Sequence, residues 1–181
     1  TDPAEITAAL LVIGDEILSG RTKDKNIGAL ADRMTEIGVR LREVRNIVTR
    51  NGVTTEIFRI DWDAATAPVV HAIHVSRRSG AISAWHCHER QVDRLFVVHG
   101  SLRLVLYDGR EASRTRGKVD VLILSPLRPT QVAIPPGVWH GLQNLEPDTS
   151  MFVNMFDHAY RYDDPDEWRL PPDTDAIPWR F

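Results

Sequence analysis

Three histidines and one carboxylate stand at spacings that suit proton transfer or metal binding. Five residues separate Gly80 from His86, and His88 follows two positions later. Four residues intervene before Asp93 and six more before Gly100. Downstream, Pro135-Pro136-Gly137-Val138-Trp139-His140 is followed, after three residues, by Asn144. In a strand, residues i and i+2 share a face, so His86 and His88 project together and Cys87 points the other way. Imidazole titrates nearest neutrality and suits a general base. Three imidazoles and a carboxylate also suit Zn, Fe, Mn, Ni or Cu, which donor type alone does not separate. Asp93 reads equally as a carboxylate that orients a histidine. His71, His74, His99 and His158 read as ordinary structural or surface histidines, and Cys87 as a packing residue.

The elements that must position these groups are short strands. Candidates are Thr54–Asp61, Val69–Val75, Leu95–Val98, Leu102–Leu106, Val119–Leu124, Thr130–Ile134 and Met151–Met155, with turn signals such as His99-Gly100, Asp108-Gly109 and Pro135-Pro136-Gly137 between them. Short, regularly spaced strands without intervening helices predict an antiparallel sandwich or barrel. If that sheet closes, His86, His88, Asp93 and His140 converge inside it.

The first part of the chain reads differently. Ala8–Ile13 is a continuous apolar run, as in a strand buried on both faces. Ile27, Leu30, Ala31, Met34 and Ile37 then recur at helical spacing, with Gly38 placed as the C′ residue. Val39, Leu41 and Val44 begin an extended segment. Residues 1–45 are thus expected to form a βαβ-like appendage that packs on the barrel or on a second subunit, and residues 46–181 the barrel. The Pro- and Asp-rich tail is expected to pack Trp168 and Trp179 onto the body.

Composition narrows the function classes. The chain has 181 residues, 43% hydrophobic and 26% charged, with a net charge of −3. That excludes a disordered chain, a collagen or a coiled coil and gives no basic nucleic-acid surface. No apolar run reaches the ~18 residues of a membrane helix. One cysteine and no basic leader predict a cytoplasmic protein with neither nucleic acid nor membrane as partner.

The two histidine blocks resemble the paired motifs of the cupin superfamily, departing from them at Asp93, where Glu is usual, and at Pro129, where the second motif starts with Gly. That resemblance implies a mainly β fold, a double-stranded β-helix or jelly-roll barrel. Gln91-Val92-Asp93-Arg94-Leu95-Phe96, Leu106-Tyr107-Asp108-Gly109-Arg110, Ile134 through Gly141 and the late Ile177-Pro178-Trp179 are similar to the dTDP-4-dehydrorhamnose 3,5-epimerase group over about residues 38–181. Gly52, Glu56 and Arg59 fit that group's first strand. The resemblance implies a keto-sugar epimerase or isomerase, with a sugar or nucleotide-sugar substrate, no required cofactor and a homodimer. It implies His86 as base, Arg94 as the cation beside the enolate and His140 as a cavity group. Arg59 and Arg103 are expected to grip phosphate, or else to face solvent. Asn154, expected on the substrate, stands where the group has its acid Tyr, and Ser83 stands where it has an Arg. Pro172 falls near the place of the Asp that partners the base, with Asp173 one residue off. Two alternatives stay open: a metal-dependent oxygenase or isomerase with His86, His88, Asp93 and His140 as ligands, and a non-catalytic sugar- or effector-binding barrel. Residues 7–45 resemble the start of a molybdopterin-binding domain but lack its Gly-rich loop, so a structural role is expected there.

Overall fold

The computed structural model describes residues 32–62 and 67–181. Two five-stranded antiparallel sheets face each other. One runs β1 (Arg40–Glu43), β9 (Thr130–Ile134), β6 (Asp93–His99), β11 (Ser150–Phe156) and β4 (His71–Arg77). The other runs β12 (Trp168–Arg169), β5 (Ile82–Cys87), β10 (Val138–Asn144), β7 (Leu102–Asp108) and β8 (Val119–Leu124). β2 (Asn46–Thr49) and β3 (Gly52–Thr55) pair only with each other among the described strands. This is the expected jelly-roll barrel.

Period-two alternation builds the core. Leu95, Val97, Val132, Ile134 and Phe152 from the first sheet meet Leu102, Leu104, Leu106, Leu122, Leu124, Val138 and Leu142 from the second. The intervening residues face outward and pack in two further layers. Phe96 and Met155 are covered by Ile57, Phe58, Trp62 and Val69. Trp85 and Val105 are covered by Leu170, Ile177, Trp179 and Phe181. Trp179 therefore packs as expected, whereas Trp168 lies on the edge strand β12 and is 58% exposed.

One strand boundary moves. Thr54–Asp61 is a strand only as far as Thr55. Beyond it, consecutive apolar residues Ile57 and Phe58 both pack on the outer face of the first sheet, which an alternating strand does not permit. The described part of the expected 1–45 appendage packs on the barrel. β1 pairs with β9 from Arg40↔Ala133 to Glu43↔Thr130, and Met34, Ile37 and Val39 join the main core. Residues 32–36 are helical, ending at Gly38 with φ +79°. Gly38 N donates to the Thr35 carbonyl and Val39 N to the Met34 carbonyl, a Schellman closure that favours glycine at C′. The apolar run at residues 8–13 and most of the molybdopterin-domain resemblance lie outside the described residues.

Candidate active site

The histidines converge at one end of the space between the sheets. β5 ends on His86 and Cys87, and His88 follows it directly. β10 carries His140 opposite His86 in register, with ring centroids 6.0 Å apart. His88 lies 5.7 Å from His140 by the same measure. β6 begins at Asp93, and β11 brings Asn154 beside it.

Asp93 is a hub, 3% exposed. Its Oδ1 accepts from Gln91 Nε2 at 2.7 Å and its Oδ2 from Asn154 Nδ2 at 2.9 Å. One oxygen faces His88 Nε2 and the other His140 Nε2, each at 3.5 Å. Burial opposes ionisation here. Hydrogen bonds and positive charge from His140 and His88 outweigh it and hold the carboxyl far below the usual range.

His88 and His86 sit in opposite environments. His88 Nδ1 donates to the Asp166 carbonyl while Nε2 faces Asp93. Both ring nitrogens meet acceptors, so both carry protons and the ring is an imidazolium. Burial lowers its pKa, but the Asp93 hydrogen bond and charge prevail and raise it to about 9. His86 Nδ1 lies 2.9 Å from Glu167 Oε1, and its Nε2 lies 3.1 Å from the Ser83 hydroxyl. A carboxylate on one side assigns the proton to Nδ1, which leaves the Nε2 lone pair open. Burial pulls the His86 pKa below its ordinary value despite Glu167. One imidazole is thus neutral, with an unprotonated Nε2 facing the Ser83 hydroxyl, and its neighbour is cationic.

Asp166 and Glu167 went unremarked in sequence because they lie about 80 positions from the histidines they hold. Only their acidity, just ahead of an aromatic, marks them. Asp166 also accepts from the backbone N–H groups of Glu89, Arg90 and Gln91, which fixes the turn after His88. Arg77 was also missed. It reaches from β4 to donate Nη2 to Ser83 Oγ at 3.3 Å, and its Nε is buried without a partner. It thereby places a guanidinium beside the position where the family resemblance leads one to expect arginine.

The structure brings together His86, His88, Asp93, His140 and Asn154, but not the expected cations. Since Asp93 faces inward, strand alternation sends Arg94 to the outer face of the first sheet, where it stacks over Phe58 at 5.9 Å. Arg59 is engaged on the outside by Asp61. Arg103 lies between inward-facing Leu102 and Leu104 and donates to Gln143 at 2.7 Å. Three of the four expected metal ligands, His88, Asp93 and His140, hold their donor atoms within 4.8 Å of one another. His86, the fourth, is turned to Glu167. In the present arrangement His88 Nδ1 bonds the Asp166 carbonyl and each Asp93 oxygen accepts from an amide.

Residues 36–180 match the family described as dTDP-4-dehydrorhamnose 3,5-epimerase. The chain belongs to this family. It is 32% identical over 136 residues to the "Probable low-salt glycan biosynthesis epimerase Agl13" of Haloferax volcanii, covering 75% of this chain and 87% of that protein. It is 39% identical over 98 residues to the spore coat polysaccharide biosynthesis protein SpsL of Bacillus subtilis, covering 54% of this chain and 65% of SpsL. The crystal structure of a dTDP sugar isomerase from Desulfovibrio desulfuricans superposes with a TM-score of 0.73 at 27% identity, over 78% of this chain and 89% of that one. As a member of the epimerase family the chain is an enzyme, a cupin of the keto-sugar epimerase type.

Proposed function

We propose that the chain moves a proton at the carbon beside the ketone of a nucleotide-linked 4-keto sugar. The observation that carries this reading is the neutral His86, its Nδ1 on Glu167 and its unprotonated Nε2 held only by the Ser83 hydroxyl. Nε2 takes the proton, and negative charge develops on the carbonyl oxygen. The His88 imidazolium and the Arg77 guanidinium are the cations that meet it. Asn154 has no acidic proton, so the His88 imidazolium is the group that returns a proton to carbon. His86 and His88 then reset by exchange with solvent. The steps of this reading call on no metal.

The finer expectations belong to the same reading. The enzyme works on a nucleotide-sugar in the cytoplasm as a homodimer; the unpaired, buried Cys87 agrees with a reducing compartment. Among the described residues no helix is long and apolar enough to cross a membrane.

The test is deuterium uptake from D2O into a dTDP-4-keto-6-deoxy sugar, followed by NMR. Exchange in the parent enzyme, reduced by roughly 10²- to 10⁴-fold in His86→Ala, is expected. Binding without exchange makes the barrel a sugar-binding module. Stoichiometric transition metal in the purified protein, lost in His88→Ala, returns the site to metal chemistry.

A further inference from the structure

A second cavity, of about 400 Å³, opens on the outer face of the first sheet. Arg40, Arg42, Arg59 and Arg94 line it with Phe58 and Trp62, and its described lining contains no acid. Asp93 and Arg94 are neighbours on β6, so this cavity and the histidine cluster lie on opposite sides of one strand.

Arg94 is the anomaly. It is 4% exposed, and although Asp157 and Asp93 attract it from a distance, no carboxylate among the described residues hydrogen-bonds it. Nη2 donates to the Ala67 carbonyl at 3.1 Å, while Nη1 is buried with no partner among the described residues. A buried cation left unpaired is costly, and an anion is its natural complement. Stacking on Phe58 satisfies the face of the guanidinium and leaves its edge donors for a ligand. Arg42 repeats the arrangement, lying 5.2 Å over Trp62 and donating to its carbonyl at 3.1 Å. Arg59 contributes less, because Asp61 fills its fork at 2.7 and 2.8 Å. Guanidinium forks match phosphate oxygens, and the aromatic wall suits a ring attached to them. The volume falls within the range of small-molecule sites.

We propose that this outer cavity is a binding site for a phosphorylated small molecule of nucleoside-diphosphate type, separate from the barrel interior, with its phosphates on Arg94 and Arg42 and its ring against Trp62 and Phe58. The site does not depend on the reaction assigned to the barrel.

The test titrates inorganic pyrophosphate and dTDP against Trp62 emission, taken as the signal lost in Trp62→Phe. Saturable changes with both probes are expected. Arg94→Met weakens them at least about tenfold and Arg42→Gln several-fold, whereas His86→Ala leaves them unchanged. A folded Arg94→Met that binds like the parent overturns the site, as does loss of the Trp62 response in His86→Ala or no response at all. Should Arg94→Met fail to fold, undiminished binding in Arg42→Gln overturns it alone.

Discussion

At the residue scale, two histidines two positions apart are given opposite protonation states by their surroundings. Burial leaves His86 neutral despite the Glu167 carboxylate beside it; Asp93 and a backbone carbonyl make His88 a cation. The pH dependence follows. The base must be neutral, so kcat/KM rises through a value below 6.5, and it falls as His88 loses its proton near about 9. Glu167 raises the His86 pKa, so Glu167→Gln moves the acid limb to lower pH and lowers kcat by about 10²-fold through loss of orientation and basicity. An unmoved acid limb in that variant would detach Glu167 from the base. His88 is also linked to stability. Its folded pKa is raised to about 9 from an unfolded value of about 6.5, so its contribution is full below about 6.5 and is lost as pH climbs through 9. The three histidines were legible because their spacing fixes which strand face they share. Arg94 was misplaced by one position, and in a strand one position is the other side of the sheet. Glu167 and Arg77 were illegible because tertiary folding alone brings them to His86.

At the element scale, the motif residues that carry no chemistry hold the far end of the barrel together. Asn144 Nδ2 donates to the carbonyls of Arg77, Arg78 and Asp148, and its Oδ1 accepts from Ser150 Oγ at 2.6 Å. Gly100 lies against that serine with φ +74°, and a Cβ there would stand 2.2 Å from Ser150 Oγ and 3.1 Å from the Ser150 backbone. The spacing of Gly100 and Asn144 thus reports a strand-end lock that keeps β4, β6, β10 and β11 in register. Gly100→Ala should cost about 2 kcal/mol or more, from backbone strain and overpacking together. Chemical denaturation measures it, and a loss under about 0.5 kcal/mol, typical of a neutral surface change, would mean the lock yields freely. Strands Val119–Leu124 and Thr130–Ile134 were legible to the residue, since alternation and turns bound them on both sides. β12 was not: its two residues are held by pairing with β5 and carry no pattern of their own.

At the scale of the whole molecule, one element pairs with neither barrel sheet among the described strands. β2 and β3 form a hairpin whose residues are almost all exposed, including Ile47, Val48 and Val53 at 49, 77 and 60%. An isolated two-stranded hairpin is marginal in water, and Val48 and Val53, paired across the two strands, give it an apolar face that another sheet can cover. A second copy of the chain supplies such a sheet and is the partner expected of this hairpin. The native mass by light scattering should therefore be twice 20.5 kDa. Val48→Glu with Val53→Glu places charge on that face without touching any core cluster, so the double variant should run as a single chain while its barrel melts within a few degrees of the parent. A parent that runs at one chain mass would remove the homodimer. A double variant that stays dimeric would move the contact elsewhere.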